Sequence, residues 1–143
     1  MLVHRELTQA VIDAFLRSYN RLDYGFSETV YFAALQLELK RAGVAFAREV
    51  EVDVNYDGVR LARFRVDLVV DRKIVVELKA GSTLVGGAER QVFNYLRATD
   101  LEVGLLLHYG PKPCFRRYIC TNDRKNGRDL YRGTTAPFRP IGR

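Results

Sequence analysis

Apolar positions recur every three to four residues through the first 42 residues and every second residue after Arg48. Leu7, Val11, Phe15 and Leu22 fall on one helical line, which predicts an amphipathic helix over 6–22, closed by Asp23-Tyr24-Gly25. A second helix is predicted over 27–42, with Val30, Leu37 and Arg41 on one line, Tyr31, Leu35 and Leu39 on another, and Gly43 as its stop. Then the period becomes two. Val50, Val52, Val54 and Tyr56 alternate with Glu49, Glu51, Asp53 and Asn55, a half-exposed strand ending in an Asp57-Gly58 turn. Strands over 60–70 and 74–80 follow, then a helix over 88–98. The continuous apolar run over 102–109 marks a strand buried on both faces, and a last strand is expected over 115–121. The order ααβββαββ predicts an α/β domain with a mixed central sheet flanked by helices. One domain is expected over 1–121, with a tail over 122–143.

At 143 residues the chain is long enough to bury a core without staples. No apolar run approaches the roughly 18 residues that a bilayer requires, and the opening residues lack the apolar stretch of a secretory signal. The expectation is a cytoplasmic protein with no membrane partner. Cys114 and Cys120 show no zinc-binding spacing and read as two buried thiols. The tail carries Arg124, Lys125, Arg128, Arg132, Arg139 and Arg143 against Asp123 and Asp129, so most of the net charge of +6 resides there. Its Gly, Pro and Thr content suggests a loosely ordered arm. Such charge suits phosphates, although a solvated tail explains it equally.

Three charged residues stand out because they interrupt two apolar strands. Phe64, Val66, Leu68 and Val70 would make one face of the first strand, with Arg63, Arg65 and Asp67 on the other. In the next strand Glu77 and Lys79 alternate with Val76, Leu78 and Ala80. Matching the apolar faces across an Asp71-Arg72-Lys73 turn pairs Val70 with Ile74, Val66 with Leu78, and Asp67 with Glu77. Carboxylates so opposed repel each other. Arg65 and Lys79 would pair as well, making a self-neutralising quartet. Alternatively, two hard carboxylates would hold Mg²⁺ or Mn²⁺, with Lys79 beside them to position water or stabilise charge on a phosphate.

Asp67 followed by Glu77-Leu78-Lys79 resembles the D…(D/E)xK signature of the PD-(D/E)xK nuclease superfamily. The segment "GFSETVY", Gly25 to Tyr31, resembles the GxxExxY motif of a family of small bacterial members, and "FRVDLVV", "VVELKA" and "QVFNYLRAT" resemble its later blocks. The resemblance runs from about Leu7 to Thr121. It implies a restriction-endonuclease-like core and a metal-dependent nuclease acting on DNA or RNA. It also implies a metal site of Glu28, Asp67, Glu77 and the Leu78 carbonyl. The catalytic group would be Asp67, Glu77, Lys79 and Gln91. Gln91 and Tyr95, four apart on the third helix, match a QxxxY motif of RecB-like members, which gives Tyr95 a substrate contact. The basic tail adds Arg124, Lys125 and Arg128 as substrate-binding residues.

Each of these also has a structural explanation: Glu28 as an acid matched to a helix dipole, Tyr31 and Tyr95 as core, and Glu89 as a surface acid. The chain departs from the family pattern at Tyr19 and Ala88, where members carry His, and at Asp23-Tyr24, which replaces a Gly-Pro pair. His4 and His108 do not fill the gap. The rival readings are a catalytically silent nucleic-acid- or partner-binding module and a metal-stabilised structural domain. A homodimer stays open.

Overall fold

The computed structural model describes residues 4–84 and 86–125 and the backbone of residues 139–140. Helices α1 (Arg5–Leu22) and α2 (Glu28–Arg41) precede strands β1 (Phe46–Tyr56), β2 (Val59–Val70) and β3 (Ile74–Ala80). Helix α3 (Ala88–Arg97), strands β4 (Val103–Tyr109) and β5 (Pro113–Ile119), one helical turn α4 (Asn122–Lys125) and a two-residue strand β6 (Arg139–Pro140) complete the order. The expected ααβββαββ succession is therefore present through β5, which begins and ends two residues earlier than the sequence pattern suggests. Within the stretch read as a loose arm, α4 adds a helical turn and β6 pairs with β1 at Val50 and Glu51. Pro140 is tolerated there because β6 is an edge strand.

Among the described residues the strands form one mixed sheet in the order β5-β4-β3-β2-β1-β6. Only β3 and β4 run parallel. Helices α1 and α2 cover one face through Val11, Phe15, Tyr31, Leu35 and Leu39, packed on Leu68, Val76, Leu105 and Tyr109. Helix α3 covers the other through Val92, Tyr95 and Leu96. All seven positions of β4 are buried, as its unbroken apolar run demands. A Cβ on Gly104 would stand 2.6 Å from Val92 Cγ1, so glycine here is what lets α3 settle on β4.

Of the two lines on α2, only Tyr31, Leu35 and Leu39 are buried, while Val30 and Leu37 remain exposed. Glu38, unremarked in the sequence, is buried and met by Arg17, Arg21 and Arg41. Cys120 is buried as expected, but Cys114 is exposed because it lies on the edge strand β5.

The single apolar face expected for β2 is broken. Leu68 and Val70 pack toward α1 and α2, whereas Val66 packs with Val69 and Val75 on the α3 side. Strand β1 reverses at the same level, with Phe46 on the first side and Val50 and Val52 on the second. The crossing point is Glu49, at φ 51, which lies opposite Asp67 between the Arg48–Leu68 and Val50–Val66 pairs. Both strands change face at this level while their register holds, and beyond it the β1–β2 hairpin continues without β3; the register shift lies farther out, between Val54 and Asn55.

Candidate metal and phosphodiester site

The reversal decides how the two acids meet. The Asp71-Arg72-Lys73 turn and the Val70–Ile74 pair form as expected, but the ladder stops at Leu68–Val76. The expected backbone pairs Asp67–Glu77 and Val66–Leu78 do not form, since β2 has left β3 by then. The amide of Leu78 still needs an acceptor. Asp67 Oδ2 accepts it at 2.8 Å, standing where a β2 carbonyl would otherwise be.

Glu77 is 2% exposed and its Oε2 has no hydrogen-bond partner. Burial first, then the adjoining Asp67 carboxylate, push its carboxyl up to about 9, with Lys79 pulling the other way. Glu28, exposed in the first turn of α2, is also raised, by desolvation first, opposed by Lys79 and reinforced by Asp67. Four charged groups from three elements thus lie within electrostatic reach of one another. The self-neutralising quartet is absent: Arg65 faces Glu51 across β1 instead of Lys79, and no ion pair joins Asp67, Glu77, Arg65 or Lys79. Among the described residues no three Asp, Glu, His or Cys side chains are gathered as a group able to hold a metal ion.

Two residues of α3 brace this place from above. Gln91 Nε2 donates to the Tyr95 hydroxyl at 2.7 Å, and that hydroxyl donates to the Arg65 carbonyl at 3.2 Å, two residues before Asp67. Tyr95 is 2% exposed, and burial followed by the nearby Glu77 charge raises its hydroxyl. Tyr31 is wholly buried, stacked on Tyr109 at 4.2 Å, and donates to the Asp23 carbonyl. Its hydroxyl also accepts the Phe26 amide, and together these bonds hold the turn that leads into α2.

His108, set aside in the sequence, lies directly opposite Lys79 in the parallel β3–β4 pair. Its Nε2 sits 3.0 Å from the Gly81 carbonyl. A carbonyl only accepts, so Nε2 carries a proton. Counting alternation along β4 places His108 on the Lys79 face, but that count needs the β3–β4 register, which one sequence does not supply. Glu49 offers no signal either, because it sits inside a regular alternation.

The described basic residues after Thr121, Arg124 and Lys125, lie away from the acids. Asn122 bonds Glu102 and the Asp100 carbonyl, and Lys125 Nζ donates to the carbonyls of Thr99, at 3.0 Å, and Leu101. These lie beside the first residue of β4, level with Ile74, whereas Glu77 and Lys79 are three and five residues along β3. Arg124 is exposed, and Arg128 lies outside the described residues.

Two carboxyl groups, one with a buried unsatisfied oxygen, beside an ammonium can gather a hard cation and a phosphate. No curated protein matches the chain. A solved structure, that of SSO0001, is similar at 17% identity and a TM-score of 0.46, over 81% of this chain and 68% of that one. The family model described as PD-(D/E)XK nuclease superfamily matches residues 5–118, a span that contains helices α1 to α3, the β2–β3 acids and the α3 brace. The chain belongs to the PD-(D/E)XK nuclease superfamily.

Proposed function

We propose that this domain hydrolyses phosphodiester bonds of DNA or RNA with the help of a divalent ion, Mg²⁺ or Mn²⁺, as a member of the GxxExxY branch. The observation that carries the reading is the Glu77 carboxylate, buried with an unpartnered Oε2 beside Asp67. A buried polar atom left orphaned is costly, and a hard cation is the partner that an unsatisfied carboxylate oxygen fits. Asp67 and Glu77 would hold the ion, joined by Glu28 and the Leu78 carbonyl. When bound, the ion supplies Lewis-acid polarisation of the phosphate and a lowered pKa for water.

The chain's own residues set the geometry. Asp67 is oriented by the Leu78 amide. Lys79, two residues beyond Glu77 on the same face, stabilises negative charge on the phosphate and orients water. Tyr95 and Gln91 fix the backbone of β2 just before Asp67.

The tail contributes sequence-blind affinity through Arg124 and Arg128, with Lys125 anchoring α4 to the domain. Deleting residues 126–143 should reduce the salt slope of DNA binding by about 0.9 for each phosphate that the tail neutralises. An unchanged slope assigns the tail another task.

The direct test is a panel of labelled DNA and RNA oligonucleotides with Mg²⁺, Mn²⁺ or chelator. Metal-dependent products support the nuclease reading. Salt-sensitive binding without cleavage on every substrate supports a silent binding module instead.

A further inference from the structure

Helix α3 divides its face of the sheet into two strips. Ala88 and Val92 pack directly on Leu106 of β4 beneath the helix. Gln91 and Tyr95 serve the β2 side, where the acids lie. Glu89 reaches the β5 side, where it meets Arg116 at 2.8 Å. Between α3 and β5 is a cavity of about 610 Å³, with Phe93 and Tyr118 among its walls and Arg90 and Arg116 as its cations. That volume suits a small molecule or one nucleotide, and the nuclease reading assigns the cavity no role.

Its position relates it to the acids. Arg116 lies opposite Leu106, and Leu106 opposite Glu77, so the groove and Glu77 share one row across three strands. At about 4.8 Å per strand their backbones are roughly 10 Å apart.

The chemistry of the groove is specific. Phe93 keeps 37% of its surface exposed, although helix α3 has a buried face available for apolar rings. Arg90 makes no ion pair among the described residues. The Arg116–Glu89 pair joins side chains 58% and 46% exposed, and such a pair is weak enough in water to exchange for a phosphate. Two cations against one acid leave the groove positive. An aromatic face beside guanidinium groups recognises an unpaired nucleotide, the base stacking on the ring and the phosphate meeting arginine. A duplex keeps its base faces against one another and offers none to the ring.

We propose that the groove between α3 and β5 docks an unpaired nucleotide of the substrate across α3 from the reacting phosphodiester, so that the substrate is single-stranded or carries a single-stranded end. The proposal rests on the nuclease reading and names its substrate class.

The experiment uses the full chain in chelator, so that nothing is cut. Fluorescence anisotropy measures binding of a short labelled oligothymidylate and of a duplex of equal length to wild type, Phe93→Leu, Phe93→Tyr and Arg90→Gln. Stacking worth about 1–3 kcal/mol per base predicts that Phe93→Leu weakens single-strand binding roughly 5- to 150-fold. Phe93→Tyr should restore it to within about twofold, and Arg90→Gln should weaken it with a reduced salt slope. Duplex binding should move less than about twofold, with unchanged thermal unfolding. Wild-type affinity in Phe93→Leu, an equal loss on both substrates, or no single-strand binding by wild type overturns the proposal. A Phe93-dependent preference for single strands, with no cleavage after metal is restored, keeps the groove and sinks the nuclease reading alone.

Discussion

Asp67 Oδ2 accepts the Leu78 amide at 2.8 Å, immediately beyond the last backbone pair between β2 and β3. One carboxylate therefore closes the strand split and faces Glu77. The two tasks separate by mutation. Asp67→Ala leaves a buried N–H without an acceptor and should cost about 1–3 kcal/mol. Asp67→Asn keeps an acceptor oxygen and should cost less than about 1 kcal/mol, while still removing the metal-induced rise in thermal stability expected of wild type. Equal destabilisation by both variants in urea unfolding would mean that the hydrogen bond is not what holds Asp67.

Glu77 ties stability to pH in the opposite direction from an ordinary ion pair. Its folded-state carboxyl lies above the usual value of 4.5, at about 9, so the folded chain keeps a proton that the unfolded chain releases. Its contribution is fully present below about 4.5 and declines as pH rises toward about 9. In chelator, the melting temperature of wild type should fall across that window, and Glu77→Gln should flatten the fall and be the more stable protein at pH 8. Millimolar Mg²⁺ or Mn²⁺ should raise wild type most at high pH, since the ion replaces the proton. A Glu77→Gln profile parallel to wild type would remove Glu77 as the source.

Glu38 acts in the other sense. The Arg17 hydrogen bond at 3.0 Å is the main cause holding its carboxyl below the usual range, against desolvation and with help from Arg41. A lowered pKa contributes stability above the unfolded value that disappears as pH falls through the folded one. Glu38→Gln should therefore shorten the acid limb of the stability profile. Its cost near neutrality should be about 1–2 kcal/mol, modest because the three arginines are about half exposed or more. An identical acid limb in wild type and variant would count against the cluster.

Apolar patterning locates every helix and strand through β5, because the helices bury a stripe at a period near 3.6, the half-buried strands a face at a period of 2, and β4 an unbroken run on both faces. The Glu77–Lys79 alternation and the three-residue turn were equally legible. The split at Asp67 is not, since β1 and β2 change face together at Glu49 and Asp67 while Arg48–Asn55 reads as an undisturbed alternation. A regular count would set Arg65 opposite Lys79, whereas β2 has parted from β3 before Arg65 and its partner is Glu51 of β1. The anchoring of Lys125 to Thr99 and Leu101 was hidden for a related reason: which carbonyls a helix leaves open beside a later segment is a tertiary property. In the sequence His108 is the end of a buried strand, and its place beside Lys79 follows only from the parallel register of β3 and β4.

The central claim is that Asp67, Glu77 and Lys79 form a working phosphodiester site and not a neutralised patch of sheet. Single-turnover cleavage of a labelled single-stranded substrate by wild type, Asp67→Asn and Lys79→Met, at saturating Mn²⁺ and matched folded fraction, tests it most directly. The account predicts metal-dependent cleavage by wild type and a loss of about 10²–10³ in rate for Lys79→Met, with nucleic-acid affinity retained, as expected for removal of one preorganised charge-stabilising group. Asp67→Asn should be slower still. Equal rates for wild type and Lys79→Met, or no cleavage by wild type on any DNA or RNA strand, would contradict it.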